Sequence, residues 1–261
     1  MTTPPFEPPS FDLTGRLALV TGSSRGLGWD FAQALAGAGA RILLHGRDAD
    51  ALQHRADALA ARGTPAAGIL RFDVTDGPAV VAAMTELGRS HGALDILLNN
   101  AGGTVRKPVL ETTDADWSRV IDTDLTACFR LSREALRLMV PRGRGRIIMV
   151  SSIMGHLARP TIPAYIAAKT GLHGLVRALA VEFAASGITV NAIAPGYFPT
   201  EANQAFRADA TLNDWVLAST PMARWGRPGE LGGAAVFLAS DAAAFVTGTV
   251  LTVDGGFTAA L

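Results

Sequence analysis

Seven short apolar runs alternate with stretches of helical periodicity along the 261-residue chain. Uninterrupted apolar runs rich in β-branched residues are typical of strands that are buried on both faces of a sheet. Strands separated by helices form βαβ units, whose right-handed crossovers keep the strands parallel. The sequence therefore predicts an α/β fold with a doubly wound, seven-stranded parallel sheet and helices on both faces. The predicted strands are residues 17–21, 41–45, 68–72, 94–98, 146–150, 188–193 and 249–253.

No linker or internal repeat divides the chain, so we predict a single domain over residues 13–261. The preceding residues 1–12 are rich in proline and are predicted to form a flexible tail, because they lack the basic and apolar regions of a signal peptide. Residues 197–229 are richer in polar residues and proline and contain no predicted strand. We interpret them as an insertion, helical in part, above the C-terminal edge of the sheet.

Composition argues against several classes of function. Lys plus Arg and Asp plus Glu number 23 each, and this balance argues against nucleic acid or an anionic membrane surface as a partner. No run of about 18 apolar residues is present to span a bilayer. A single cysteine, Cys128, excludes an intrachain disulfide and a cysteine metal cluster. These features predict a cytoplasmic protein.

The first predicted strand ends in a glycine-rich turn that leads into a helix. Gly22, Gly26 and Gly28 follow the spacing G-xxx-G-x-G. Glycine permits positive φ and a close backbone approach, and a helix N-terminus attracts an anion. At the first strand of a doubly wound, Rossmann-type pattern, this turn predicts a site for nucleotide phosphates. The alternative is a tight connection without a ligand.

The end of the second predicted strand indicates which nucleotide is bound. NAD sites usually carry an acidic residue there, which binds the ribose 2′-hydroxyl. This chain has His45, Gly46 and Arg47 at that place, with no acid before Asp48. Arg25 adds a second guanidinium from the glycine turn, and guanidinium groups without a carboxylate favour the 2′-phosphate of NADP over NAD. Alternatively, Arg47 is a surface residue at the start of the next helix.

Tyr165 and Lys169 lie four residues apart in a helical pattern, which places them on one face and one turn apart. An unperturbed phenol has a pKa of about 10, too high for ready proton exchange at neutral pH. A fixed ammonium nearby favours the phenolate and makes a phenol a usable acid or base. Taken alone, the same spacing also fits a half-solvated helix face.

Further motifs stand with this pair in a fixed order. Together these motifs resemble the short-chain dehydrogenase/reductase family. They are residues 21–28, residues 99–102, Ser152, Tyr165 with Lys169, Pro195 with Gly196, and residues 253–256. The resemblance runs from about residue 13 to residue 257. It implies a dinucleotide-binding catalytic domain that transfers hydride between a nicotinamide cofactor and a secondary alcohol or ketone, without a metal.

The resemblance, together with Arg47, assigns a cofactor site for NADP. Asp73 and Val74 would hold the adenine, and Pro195 and Gly196 would form the face against the nicotinamide. The implied cofactor-binding residues are Gly22, Ser24, Arg25, Gly26, Leu27, Gly28, Arg47, Asp73, Val74, Asn100, Ala101, Gly102, Tyr165, Lys169, Pro195, Gly196 and Thr200.

The resemblance also implies the catalytic roles. Tyr165 would exchange a proton with the substrate oxygen, and Ser152 would hydrogen-bond that oxygen as charge develops. Lys169 would favour the phenolate and hold the nicotinamide ribose. Because side chains alternate along a strand, Ser151 is expected to point away from the partner that Ser152 binds.

Asp124 departs from the family pattern, which usually has Asn at this place. The family Asn is implied to hold a local helix distortion and a water that relays protons from the lysine. An ionised Asp only accepts hydrogen bonds. Asp124 would therefore either orient water and pair with Lys169, or oppose phenolate formation. We expect an active enzyme with an altered pH profile.

Several stretches resemble one subgroup of the family, the gluconate 5-dehydrogenases, which interconvert gluconate and 5-ketogluconate. These stretches are residues 13–15, 45–48, 106–108, 157–161 and 196–200. A sugar acid requires a cation for its carboxylate, and Arg106 near the C-terminal edge of the sheet is the first candidate. Arg159 and His156 are further candidates, and Tyr197, Glu201, Asn203 and Gln204 would serve hydroxyls. The predicted substrate residues are thus Arg106, Ser152, Tyr165 and Tyr197.

Two alternative functions stay open. A 3-oxoacyl-carrier reductase or a broad-specificity ketoreductase would share most of these motifs. A nucleotide-binding sensor, catalytically weakened by Asp124, belongs to another class of function. The resemblance also implies a homotetramer, with the helices around 114–139 and 163–186 pairing between subunits and the C-terminal strand forming another interface.

Overall fold

The structure is a computed structural model that describes residues 9–260, without the side chains of Ala202 and Ala205. Its strands are β1 (Leu17–Val20), β2 (Arg41–Gly46), β3 (Gly68–Arg71), β4 (Ile96–Asn99), β5 (Gly145–Val150), β6 (Ile188–Pro195) and β7 (Val250–Val253). They form one seven-stranded sheet in the order β3-β2-β1-β4-β5-β6-β7. Every neighbouring pair is parallel. The predicted doubly wound sheet is confirmed.

Helices cover both faces of the sheet and bury two apolar clusters. In β1, Leu19 belongs to a cluster formed with the helices that cover one face of the sheet, whereas Ala18 and Val20 belong to a cluster formed with the helices on the other face. This alternation explains why the strands read as continuous apolar runs. No described helix is long and apolar enough to cross a membrane. The helices are α1 (Gly26–Gly37), α2 (Ala49–Ala60), α3 (Gly77–His91), α4 (Asp114–Ile121), α5 (Ala127–Met139), α6 (Pro163–Phe183), α7 (Gln204–Ala208), α8 (Ala210–Ser219) and α9 (Gly229–Ala239).

The helical pattern from 114 to 139 contains a widened turn. Thr113 and Asp116 form a capping box at the start of α4. Between α4 and α5, Asp122–Thr126 forms a π-helical turn. Sequence periodicity predicted one continuous helix, because apolar residues recur on both sides of the turn. A π-turn inserts one residue into the helical ladder, and such turns frequently occur at functional sites.

The predicted tail begins outside the described residues, which exclude residues 1–8 and also the last residue of the predicted domain, Leu261. The Ser10 carbonyl accepts a hydrogen bond from the Ala242 N–H at 3.1 Å. The Phe11 ring lies 6.3 Å from the Phe237 ring on α9. Contact with the domain therefore starts before the predicted boundary at residue 13.

The predicted insertion at 197–229 contains a short 3-10 turn (Glu201–Asn203) followed by α7 and α8. Aromatic packing connects these pieces to the end of β6. The Tyr197 ring lies 6.0 Å from Phe206, 5.8 Å from Trp215 and 5.6 Å from Trp225. These contacts place α7 over the C-terminal edge of the sheet.

Candidate active site

The carboxyl ends of β1 to β6, together with the insertion, line a solvent-open cleft of about 1240 Å³. This is the edge at which doubly wound sheets bind ligands. All the predicted catalytic, cofactor and substrate residues line the cleft. The further candidates His156 and Gln204 are not among its lining residues. His156 instead lies with its ring 4.5 Å from the ring of His173.

The glycine turn leaves the start of α1 open toward the cleft. Gly22 and Gly26 have φ values of +64° and +53°, in the region that favours glycine. α1 has no side-chain cap on its first N–H groups and no acidic residue in its first turn. A side chain at Gly28 would collide with the Gly22 carbonyl, since an added Cβ would lie 2.2 Å from that oxygen. Uncapped N–H groups at a helix N-terminus fit the phosphates of a dinucleotide.

His45 at the end of β2 holds this turn in place. Its Nδ1 accepts a hydrogen bond from the Gly22 N–H at 3.2 Å. The His45 N–H donates to Ser23 Oγ at 2.9 Å. Burial lowers the pKa of His45 to about 4, so the ring is neutral at pH 7 and Nδ1 can accept. In the sequence, His45 was noted only because it stands where NAD sites usually carry an acidic residue. Its role in holding the turn was not predicted.

Asn100 after β4 supports the same turn. Its Nδ2 donates to the Thr21 carbonyl at 2.9 Å, and its backbone N–H donates to Thr21 Oγ1 at 2.8 Å. The backbone N–H of Ala101 donates to the same hydroxyl at 2.9 Å. The side-chain amide of Asn100 therefore holds the turn while the residue lines the cleft.

The end of β2 carries the Arg47 guanidinium, and the acid that follows it in the sequence serves as a helix cap. Asp48, the first acid after β2, accepts the Ala51 N–H at 3.0 Å and caps α2. Arg47 lies 3.3 Å from Asp73, and both side chains are substantially exposed. Hydrogen bonds from the Thr75 backbone and hydroxyl lower the pKa of Asp73. The sequence did not predict the Arg47–Asp73 pair, because 26 residues separate its members.

Ser151 and Ser152 have different partners at the end of β5. Ser152 Oγ accepts the Met154 N–H at 3.1 Å, which leaves its hydroxyl proton free for another acceptor. Ser151 Oγ lies 2.8 Å from His173 Nε2 on α6. This difference matches the expected alternation. His173 was missed, although it follows Tyr165 and Lys169 at the same four-residue spacing.

Lys169 lies beneath Tyr165 on α6, hydrogen-bonded to one oxygen and close to a second. Its Nζ donates to the Val150 carbonyl at 2.9 Å and lies 5.4 Å from the centre of the Tyr165 ring. Asp124 Oδ2 is 3.5 Å from the same Nζ. Burial alone would lower the pKa of Lys169, but the charge of Asp124, together with smaller contributions from Tyr165 and Cys128, outweighs it and raises the pKa. The ammonium form is thereby maintained.

Asp124 lies in the π-helical turn and is completely buried. Its Oδ1 accepts the Gly103 N–H at 2.8 Å, and its Oδ2 accepts no hydrogen bond from the described residues. Burial raises the pKa of Asp124, although Lys169 opposes the shift. An added Cβ at Gly102 would lie 2.9 Å from Oδ1, so this close approach requires glycine.

The substrate end of the cleft lies beneath the insertion. Arg106 Cζ lies 5.6 Å from the centre of the Phe206 ring, and Arg159 Cζ lies 5.0 Å from it. The Tyr197 hydroxyl is buried without a hydrogen-bond partner among the described residues, and burial raises its pKa. Phe206 was missed, because it lies far from both arginines in the sequence and no spacing signal connects them.

Two other candidates from the insertion are engaged locally. Thr200 and Asn203 form a capping box at the start of the 3-10 turn, and the Thr200 N–H donates to Asn203 Oδ1 at 2.8 Å. Glu201 pairs with Arg25 of the glycine turn at 3.3 Å, with both side chains exposed. Thr200, Glu201 and Asn203 are thus engaged, whereas the buried Tyr197 hydroxyl has no partner among the described residues.

Comparison with known proteins agrees with this geometry. The family described as enoyl-(acyl carrier protein) reductase matches residues 22–258. Gluconate 5-dehydrogenase of Gluconobacter oxydans (strain 621H) is 42% identical over 254 residues, which are 97% of this chain and 99% of that protein. The 3-oxoacyl-[acyl-carrier-protein] reductase FabG of Escherichia coli (strain K12) is 38% identical over 93% of this chain and 97% of its own length. A crystal structure of gluconate 5-dehydrogenase from Burkholderia cenocepacia J2315, in complex with NADP and tartrate, is 42% identical with a TM-score of 0.93, covering 96% of this chain and 98% of that one.

Proposed function

This chain belongs to the short-chain dehydrogenase/reductase family, and from that premise we propose that it is an NADP(H)-dependent oxidoreductase of a sugar acid, such as gluconate and 5-ketogluconate. The observation that carries the proposal is a single cleft that holds Ser152, Tyr165 and Lys169 together with Arg106. The first three supply the proton chemistry of carbonyl reduction. Arg106 supplies a cation for a carboxylate.

NADP is the proposed cofactor. The uncapped start of α1 fits the phosphates, and Arg47 at the end of β2 fits a 2′-phosphate. Asp48, the acid that follows in the sequence, caps α2. A relative of 42% identity is crystallised with NADP, which further supports this choice. When bound, the cofactor supplies or accepts the hydride.

The protein side chains would manage the proton. Tyr165 would donate its hydroxyl proton to the substrate oxygen during reduction and take it back during oxidation. Ser152, whose hydroxyl proton is free, would hydrogen-bond that oxygen as negative charge develops. Lys169, held by the Val150 carbonyl, would keep a positive charge beneath the phenol. The insertion would exclude water from the cleft.

The test is the rate of NADPH and NADH oxidation over a panel of 5-ketogluconate, neutral sugars and β-ketoesters. Preference for NADPH and 5-ketogluconate is expected. Preference for β-ketoesters would favour the 3-oxoacyl-carrier reductase, and similar rates with all substrates would favour a broad ketoreductase. NADPH binding without turnover of any substrate would favour the nucleotide sensor. We do not favour the sensor, because a protein that only binds a nucleotide has no need for Ser152, Tyr165 and Lys169 together.

Assembly and location are also proposals. A homotetramer is supported by apolar side chains on the helices expected to pair, where Phe129 on α5 is 43% exposed and Val181 on α6 is 84% exposed. β7 is an edge strand, as expected for another interface. Light scattering coupled to size-exclusion chromatography measures the assembly, and cell fractionation tests the proposed cytoplasmic location.

A further inference from the structure

Two arginines from different loops approach one aromatic ring of the insertion. Arg106 belongs to the segment that follows β4, and Arg159 to the segment between β5 and α6. Their Cζ atoms lie 5.6 and 5.0 Å from the centre of the Phe206 ring on α7. All three residues line the cleft with Ser152 and Tyr165. Three separate segments of the chain thus meet beside the reacting end.

Within the described part of the chain, no carboxylate compensates the two positive charges. Among residues 9–260, neither Arg106 nor Arg159 lies within 4.0 Å of an acidic oxygen. Partial desolvation and the nearby charge of Arg159 lower the pKa of Arg106, so the two cations repel each other, with Arg106 exposed and Arg159 half-buried. By contrast, Arg224 is paired with Glu230 at 2.8 Å. An anion between Arg106 and Arg159 would relieve this repulsion.

We propose that Arg159 is a specificity-determining residue that binds the substrate carboxylate together with Arg106, at a site that Phe206 holds in shape. The inference rests on the proposed function and deepens it by naming a two-arginine site. A guanidinium over an aromatic face keeps the N–H donors at its edge available for an oxyanion. The site therefore selects an acyclic polyol with a terminal carboxylate over the corresponding neutral polyol.

Phe206 connects this selection to the insertion. Its ring is stacked with Tyr197 at 6.0 Å, and the buried Tyr197 hydroxyl has no partner among the described residues. Because Phe206 lies on α7 and contacts both arginines, the position of α7 would help to hold the two guanidiniums around a substrate carboxylate. Replacement of Phe206 by leucine keeps an apolar side chain but removes the two cation–π contacts.

The main competing explanation is that Arg159 only secures the insertion by packing against Phe206. A packing role predicts equal losses for charged and neutral substrates. A carboxylate ligand predicts a loss that depends on substrate charge. Gluconate and sorbitol separate the two, because they differ only in the terminal group, a carboxylate in one and a hydroxymethyl in the other.

The experiment compares Arg159→Gln, Arg159→Lys and Phe206→Leu with the native enzyme, using NADP and either gluconate or sorbitol. In Arg159→Gln, the ratio of kcat/KM for gluconate to that for sorbitol should fall about tenfold or more, chiefly through KM for gluconate, because one charge-assisted hydrogen bond is lost. Arg159→Lys should recover part of the loss, and Phe206→Leu should lower the ratio less. Arg177→Gln is the matched control, since it removes an exposed arginine of α6 that does not line the cleft. An unchanged ratio in Arg159→Gln would overturn the proposal.

Tartrate binding to the NADP-loaded enzyme, measured by calorimetry, separates this inference from the proposed function. Loss of tartrate affinity in Arg159→Gln but not in Arg177→Gln supports the anion site even where gluconate is not turned over. If the native enzyme turns over gluconate but Arg159→Gln binds tartrate with unchanged affinity, the proposed function is supported and the two-arginine carboxylate site is contradicted. Absence of both gluconate turnover and tartrate binding in the native protein contradicts both.

Discussion

Lys169 Nζ lies 3.5 Å from Asp124 Oδ2, and their side chains are only 6% and 0% exposed. The ammonium that would keep a positive charge beneath Tyr165 thus has a buried carboxylate as its second neighbour. Two charges in a poorly solvated place interact more strongly than the same charges in water. The geometry favours the pairing of Asp124 with Lys169 that the sequence raised as one of two possibilities. The second possibility, that Asp124 opposes phenolate formation, follows from the same negative charge of Asp124.

We predict that Asp124→Asn moves the pH–rate profile to lower pH. The neutral amide of the introduced asparagine no longer offsets the positive charge of Lys169. The deprotonated form of the site, which accepts the proton of the substrate hydroxyl, is therefore populated at lower pH. The midpoint of the rise in kcat for gluconate oxidation should fall by about one pH unit, which corresponds to about 1.4 kcal/mol. Profiles of kcat measured between pH 6 and 10 provide the test. Superimposable profiles would mean that Asp124 has no influence on the proton transfer.

The doubly wound parallel sheet and the position of the cleft followed from the sequence because both depend on local periodicity and on the handedness of βαβ crossovers. Periodicity did not predict the π-helical turn, since residues 122–126 keep a helical apolar pattern while the hydrogen-bond ladder widens, and only the family resemblance implied a helix distortion there. Asp124 was singled out by family resemblance alone. Its burial and its contact with Gly103 required the structure.

Contacts between distant segments were the least predictable part of the site. Arg106 and Arg159 were both named as candidates, but their shared contact with Phe206 depends on how the insertion packs. The Ser151–His173 hydrogen bond likewise joins a strand end to a helix. Local patterns indicate which face of an element is buried, whereas they carry no information on which polar groups meet across elements.

Arg47→Gln should weaken NADPH binding much more than NADH binding. The variant loses a charge-assisted contact to the 2′-phosphate, which is worth roughly 10- to 100-fold in affinity. KM values for NADPH and NADH at constant ionic strength measure the effect. The control is Arg41→Gln, because Arg41 is also exposed but lies at the opposite end of β2. Equal changes for the two cofactors would contradict a phosphate contact.

Ser152→Ala and Ser151→Ala should differ in what they impair. Removing the Ser152 hydroxyl takes away a donor to the developing oxyanion and should lower kcat by about 100- to 1000-fold. Removing the Ser151 hydroxyl leaves His173 without its partner and should lower the free energy of unfolding by about 1–3 kcal/mol, with little effect on kcat. Steady-state rates and urea denaturation of both variants decide this, and a reversed pattern would exchange the roles of the two serines.

His45→Asn should reduce the loss of stability in mild acid. Burial lowers the pKa of His45 from 6.5 to about 4. Between these two pH values, His45 is protonated in the unfolded chain but neutral in the folded protein. The stabilisation is thus present above pH 6.5 and is lost as the pH falls toward 4, by about 2 kcal/mol at pH 5. Asparagine keeps an acceptor for the Gly22 N–H but does not titrate. Urea denaturation at pH 7.5 and pH 5 should therefore show a smaller loss in the variant, while the contribution of other titrating groups, such as His173, cancels in the comparison. Equal losses in both proteins would contradict the neutral, buried state of His45.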